Sequence, residues 1–215
     1  MIYLDYAATT PAAKEALDAF QKLSTDVYGN SSSLHDAGGK AESILRYCRQ
    51  KMAELLSGEE EGVYFTSGGT EANFLAIHSI LNGLPAGKQR FLMTEMEHQS
   101  IHILKRHLEI LGFEVDLMKP NASGIITTEI LERHLRPDTG LVSIQHANSE
   151  TGVIQPWQSF RLTCISGTCS CTATAYRPLP RFRSALMSSA LMPYLFQAIK
   201  YTDQKELERS IFGLV

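Results

Sequence analysis

"YFTSGGTEAN", Tyr64 to Asn73, is the stretch on which the reading of the chain turns. The run "GVYFT" from Gly62 has strand character and ends at Ser67. Gly68 and Gly69 then let the backbone come close to a ligand, and Thr70 opens a helical pattern. A strand that turns through glycines into a helix offers backbone N–H groups and the positive end of a helix dipole to an anion, which describes a phosphate seat. The same Ser-Gly-Gly-Thr-Glu run also supplies a helix cap with an early acid, so the stretch alone leaves both readings open.

Outward from it, the chain alternates strands and helices. Helical periodicity runs through Ala12 to Leu23 and through "AESILRYCRQKMAELLS" from Ala41, with the Gly-, Ser- and Asn-rich loop "TDVYGNSSSLHDAGG" between them. After the central motif come a strand "RFLMTE", a helix "HQSIHILKRHLEILG", a strand "FEVDLMK", a helix "TEILERHL" and a strand "LVSIQHA". This order predicts an α/β fold with a mainly parallel sheet and helices on both faces. Ligands then bind at the carboxyl ends of the strands.

Two further motifs fall at that edge. His98, in "TEMEHQS", follows a predicted strand and is placed to stack on a flat ring held by the phosphate seat; its alternative is a packed or solvated histidine. "HANSETG" follows "LVSIQ" and brings Asn148, Ser149 and Glu150 to the same edge, or forms a plain turn.

Composition narrows the classes. The chain has 215 residues, 44% hydrophobic and 20% charged, with a formal net charge of -3, so it is of globular type with no basic footprint for nucleic acid. The amino terminus lacks the basic-then-apolar pattern of a secretory signal, and "ALMSSALMPYLF" from Ala185 is shorter than the roughly 20 residues of a membrane span and contains Pro193. A cytoplasmic address with no membrane partner is expected. Cys164, Cys169 and Cys171 bunch together without paired C-x-x-C spacing or a nearby histidine, so no metal site is expected.

Taken together, "IYLDYAATTP", "YGNSSSLHDAG", "YFTSGGTEAN", "TEMEHQS", "GFEVDLMKPNASGII" and "LRPDTGLVSIQHANSETGVIQP" resemble, in order and spacing, the cysteine desulfurases of the NifS kind. These are enzymes of the class V aminotransferase family, fold type I, which use pyridoxal 5′-phosphate. The resemblance covers Ile2 to Pro156. It implies the amino-terminal part of a large pyridoxal-phosphate-binding domain over residues 1–156, with Gly69 and Thr70 on the cofactor phosphate, His98 stacked on the pyridine ring, and Asn148 and Ser149 at the ring edge. Ser149 stands where the family usually has a second Asn, and a hydroxyl reaches less far than an amide. The family reaction takes L-cysteine to L-alanine and passes the sulfur as a persulfide to an acceptor protein, in iron–sulfur cluster assembly among other pathways, and its members are homodimers.

From Trp157 the alternation dissolves into a Ser-, Cys-, Thr- and Arg-rich text interrupted by Pro178, Pro180 and Pro193. An irregular, poorly ordered tail is expected over 157–215. The family's Schiff-base lysine and its acidic partner for the pyridine nitrogen belong to stretches resembling "HSDCVQTFGK" and "SGHKIYGPKG", and neither occurs here. Both become readable when each codon is rebuilt from the last nucleotide of one residue and the first two of the next. In that register "CTATAYRPL" from Cys171 permits "HSDCVQTFA", and "QAIKYTDQKELERSIFGLV" from Gln197 permits "GHKIYGPKGVGAVYIRPG". Only the first letter of each shifted codon is free, so two long motifs in family order point to a frame slip near Gln155 to Trp157. Lys200 lies near the codon of the lost lysine but in no family motif. The nucleotide sequence across these codons is expected to continue in family-like text in the shifted phase; a sequence without such text refutes the slip.

Overall fold

The computed structural model describes residues 2–4, 11–56, 59–156, 159–160, 170–175, 197–201 and 212–214. Most of the tail, including Cys164, Cys169 and the side chains of Cys171 and Lys200, lies outside the described residues. The chain divides into two compact units, one of Met1–Tyr64 with Pro178–Leu195 and one of Phe65–Arg177 with Phe196–Val215.

The first unit contains α1 (Lys14–Asp26) and α2 (Asp36–Leu56). α2 starts five residues before the apolar periodicity, inside the stretch expected to be loop, because His35 acts as its cap. The His35 Nδ1 accepts from the Gly38 N–H at 3.1 Å. A Cβ at Gly38 would press on the carbonyl oxygens of Ser33 and Asn30, so the "GNSSSLHDAGG" loop folds down on the helix start only with glycine there. α1 buries none of its residues: Leu17, Phe20 and Leu23, spaced along one face, are all exposed.

β1 (Val63–Phe65) is shorter than expected, with only Val63 buried, and leads to α3 (Gly69–Asn82) in the second unit. There follow β2 (Arg90–Thr94), α4 (Gln99–Ile110), β3 (Glu114–Met118), α5 (Thr128–His134) and β4 (Thr139–Ala147). β2 runs parallel to both β3 and β4. Its residues alternate between two cores, as a strand covered on both faces must. Phe91 and Met93 pack with Ile77, Ile80 and Leu81 of α3 and with Ile101, Leu104 and Leu108 of α4. Leu92 packs with Met118, Leu131, Val142 and Ile144 on the other side. α3 buries Gly69, Ala72, Asn73, Ala76, Ile77, Ile80 and Leu81, one face at helical spacing. The α/β class, the parallel sheet and the helices on both faces are as the sequence indicates.

The sheet does not stop at β4. No element was expected after Pro156, yet β5 (Ser170–Ala175) pairs parallel with β4, β6 (Gln197–Tyr201) pairs antiparallel with β5, and β7 (Phe212–Leu214) pairs antiparallel with β6. The physical reason is the edge of β4, whose unpaired N–H and C=O groups recruit an extended segment through backbone bonds alone. Among the described residues no helix is long and apolar enough to cross a membrane.

Each end of the strands carries one buried charge-bearing group. At the amino end Arg90, 5% exposed, reaches Asp116 on β3 at 2.5 Å, Asp138 before β4 at 3.2 Å, and Glu114 on β3. Gly140 makes the bulge that brings Asp138 there, since the β2–β4 register shifts between Arg90↔Thr139 and Phe91↔Leu141 and a Cβ at Gly140 would strike Leu84. At the carboxyl end Glu97 is buried, its Oε1 accepting from the Ser143 Oγ at 3.1 Å while Oε2 makes no hydrogen bond. Burial pushes this carboxyl up to about 8, against the partial support of Ser143 and of the Gln145 and His98 amides.

Arg90→Met is expected to lower stability by about 2 kcal/mol at pH 7, because it strands three acids around an emptied centre. Arg90 holds the Asp138 carboxyl below its usual range, so that difference is full above the ordinary Asp value and shrinks as pH falls below about 4. Urea unfolding midpoints across pH measure it. Glu97 behaves oppositely: its raised folded value means the native state takes up a proton, so stability falls as pH rises, by up to about 1.4 kcal/mol per unit between about pH 5 and 8. Glu97→Gln should flatten this slope in the same titration; an unchanged slope means that Glu97 is ionised in the native state.

Candidate functional site

The carboxyl edge of the second unit gathers the sequence-selected residues around three short connections. The first is the entry to α3. Gly68 is the N-cap, has no side chain with which to cap, and has open space where a Cβ would stand. Glu71, which could otherwise cap from the first turn, turns back to Ser67 and accepts its N–H and its Oγ–H at 2.6 Å each. These hydrogen bonds hold the Glu71 carboxyl below its usual range. The first-turn amides of Gly69 and Thr70 thus begin a helix of 14 residues with no side-chain cap at Gly68, Gly69 being buried and Thr70 exposed. The Ser-Gly-Gly-Thr-Glu run thus places no side-chain cap at Gly68, and its acid is tied to the preceding serine.

The second connection runs from β2 to α4. His98 is the N-cap of α4, with its Nδ1 accepting from the Ser100 N–H at 3.2 Å and lying 2.8 Å from the Ser100 Oγ. Burial first, and then His102, lowers its proton affinity, which favours the neutral imidazole. The ring is half-buried, and it stands at the carboxyl edge of the strands.

The third is the turn after β4. Asn148 governs it: its Oδ1 accepts from the Glu150 N–H at 2.9 Å, the Thr151 N–H at 2.8 Å and the Thr151 Oγ–H at 3.2 Å. Its Nδ2 donates to the Gln145 Oε1 at 3.0 Å and to the Met96 carbonyl at 3.3 Å. The amide oxygen is therefore spent within the turn, in the Asx arrangement that short polar loop residues favour, and the amide nitrogen on β4 and the neighbouring strand end. Ser149 and Glu150 are left exposed at its tip.

Hydrogen bonds tie the three connections into one edge. The Asn73 Nδ2 in the second turn of α3 donates to the Ser100 Oγ at 2.8 Å, and the Asn148 Nδ2 holds the Met96 carbonyl two residues before His98. Gln155 ties in a further loop, accepting from the Ile126 N–H at 2.9 Å and donating to the Gly124 carbonyl at 2.7 Å. Asn73, Glu97, Ser100, Gln145 and Gln155 escape sequence reasoning because nothing in their local pattern marks them; the only signal is a polar residue at a position that periodicity assigns to the core, as at Asn73 and Ser100. Among the described residues no group of His, Cys, Asp and Glu is arranged to hold a metal.

The edge brings an uncapped helix start and a fixed imidazole together. An uncapped helix start and an open glycine accept an anion, and an imidazole held by its own helix cap presents a fixed ring. Three comparisons bear on which ligand. The class-V aminotransferase family model matches residues 2–169. NifS of Bacillus subtilis (strain 168) is 66% identical over 158 residues, 74% of this chain and 40% of that protein. The cysteine desulfurase IscS of Dictyoglomus turgidum (strain DSM 6724 / Z-1310) is 36% identical over 157 residues, 73% of this chain and 40% of that protein. The structure of SspA in complex with cysteine superposes with a TM-score of 0.75 at 27% identity, covering 83% of this chain and 59% of that one. The chain spans about 40% of the length of the curated relatives it matches. With a family match from Ile2 through 169 and these relatives, the chain belongs to the class-V aminotransferase family, within which it is related to the cysteine desulfurases.

Proposed function

We propose that the gene encodes a cysteine desulfurase dependent on pyridoxal 5′-phosphate, and that this chain is an inactive product of it, with family text over residues 1–156 and text from a shifted register over 157–215. The observation that carries the cofactor assignment is the uncapped start of α3 at Gly68, joined through Asn73 and Ser100 to the neutral ring of His98. In this reading the Gly69 and Thr70 amides hold the phosphate and His98 covers one face of the pyridine. Asn148 shapes the turn that offers the Ser149 hydroxyl to the ring edge. When bound, the cofactor supplies an electron sink for bonds at the substrate α-carbon.

In this reading the described residues of the carboxyl edge supply no amine to hold that cofactor covalently. Such a lysine must be desolvated or flanked by a cation to be nucleophilic at neutral pH. Lys88 donates to the Pro137 carbonyl at 2.7 Å, near the amino end of the strands. Lys105 pairs with Glu109, and Lys119, at the carboxyl end of β3, is 80% exposed and faces Glu95 at 3.8 Å. None of these three is desolvated in the required way. The intact gene product would take L-cysteine to L-alanine, deliver sulfur as a persulfide to an acceptor protein of iron–sulfur cluster assembly, and work as a homodimer in the cytoplasm.

One observation favours a second reading, a non-catalytic fragment that binds an intact protomer of a paralogue. The apolar face of α1, with Phe20 at 72% exposure, is uncovered and suits a contact with a related chain.

Incubation of the purified chain with pyridoxal 5′-phosphate, then borohydride, is expected to leave no stoichiometric cofactor adduct, and L-cysteine is expected to yield no alanine. The frame-restored product is expected to do both. A stoichiometric adduct with turnover in the chain as it stands overturns the inactivity. Failure to co-purify with a full-length paralogue removes the second reading.

A further inference from the structure

We infer that Asn73 and Ser100 are positioning residues for His98: together they aim two donors at one imidazole nitrogen and so fix the protonation pattern and the plane of the ring. This inference deepens the cofactor reading above and rests on it for its purpose, though not for its geometry.

The Ser100 backbone N–H fixes the direction of the group, because it requires a lone pair on the His98 Nδ1. The Asn73 amide nitrogen can only donate, so at 2.8 Å the Ser100 Oγ is its acceptor. The hydroxyl hydrogen of Ser100 is then released to point elsewhere, and the His98 Nδ1 lies 2.8 Å from that oxygen. The Ser100 backbone N–H points at the same Nδ1 from 3.2 Å. A nitrogen that receives two donors carries a lone pair, so the ring proton resides on Nε2. Asn73 and Ser100 are 5% and 7% exposed, which shields the group from competition with water.

The arrangement has a consequence for a stacked ligand. A proton on Nδ1 would oppose the Ser100 backbone N–H, so the arrangement favours the imidazole in its neutral form, without a charge to repel a cationic pyridine ring. Rotation of the ring about its Cβ–Cγ bond would break both contacts, so the plane is fixed before any ligand arrives. Binding then spends less free energy on ordering that side chain. The link also joins α3, which bears the phosphate seat, to α4, which bears the stacking ring, so the spacing between seat and ring is set by one buried hydrogen bond.

The test uses the full chain labelled with ¹⁵N and no cofactor. In the unmodified chain His98 should show an Nδ1 signal typical of a hydrogen-bonded lone-pair nitrogen, with scalar coupling to the Ser100 amide across the hydrogen bond. Ser100→Ala removes the hydroxyl donor, and Asn73→Asp replaces the donor with an acceptor that turns the Ser100 hydroxyl away. Both should move the His98 Nδ1 signal toward that of a weakly bonded nitrogen, and Ser100→Thr should restore it. Pyridoxamine 5′-phosphate, which cannot form a lysine adduct, serves as the ligand probe by fluorescence titration. Ser100→Ala is expected to weaken its binding about fivefold, the loss of one neutral hydrogen bond. His98 signals unchanged in both Ser100→Ala and Asn73→Asp overturn the inference. If His98→Ala leaves the probe's affinity intact, the cofactor reading of His98 falls, while the nitrogen signals still decide whether Asn73 and Ser100 position the ring.

Discussion

A guanidinium with one twentieth of its surface in water fixes the frame on which everything else is mounted. Arg90 stands at the first residue of β2 and is bound by acids from β3 and from the segment before β4, so one cation draws the amino ends of three adjacent strands to a common level. A parallel pair has evenly spaced, slanted bonds and no hairpin to set its register, so alignment needs an outside reference. The three carboxylates keep access to solvent, 66%, 38% and 44% for Glu114, Asp116 and Asp138, which limits the cost of their desolvation while the cation is buried. With the amino ends level, strands of known length deliver their carboxyl ends to known places. That is why the residues after Thr94 and Ala147 meet.

The two ends of the strands solve their electrostatics in opposite ways. At the amino end a buried charge is neutralised by partners. At the carboxyl end burial pushes the acid Glu97 up to about 8, toward its neutral form, with one oxygen bonded to Ser143. A neutral group there leaves the edge free of a fixed negative charge that would oppose an anionic ligand at the start of α3. Burial favours the neutral form of the histidine next to it as well. Proximity along the chain therefore couples a structural acid to the ring proposed to stack on a ligand, and on that reading the edge depends on dipoles and hydrogen bonds rather than on net charge.

What the sequence reveals of this design follows from which interactions are local. The apolar face of α3 and the alternation of β2 have a period, and a period is visible in one dimension. The proposed phosphate seat is visible because it consists of consecutive residues, Gly68 through Thr70. Asn148 was legible as a turn residue, yet its commitment of both amide hydrogens to Gln145 and Met96 was not, because Met96 arrives from another strand end. The histidine caps were hidden for a different reason: His35 and His98 use a ring nitrogen in a role usually taken by an oxygen of Ser, Thr, Asp or Asn. Asn73 and Ser100 occupy core positions where an apolar residue is the default, and only their mutual hydrogen bond in space explains them.

The strands beyond Pro156 separate two kinds of information that a sequence carries. β5 pairs with β4 from Leu141↔Ser170 onward through main-chain groups that every residue except proline possesses. Such a ladder accepts almost any extended segment that reaches an open edge, so its formation requires no particular side chains. Covalent capture of a cofactor requires one amine at one place, in an environment that lowers its affinity for a proton. A change of reading register preserves much of the first requirement, since strand-forming residues are common, and destroys the second, since a single residue type is needed at a single position. On the proposed reading, the chain can therefore extend its sheet past the slip while losing its chemistry there, and the persistence of strands in the tail carries no weight as a sign of activity.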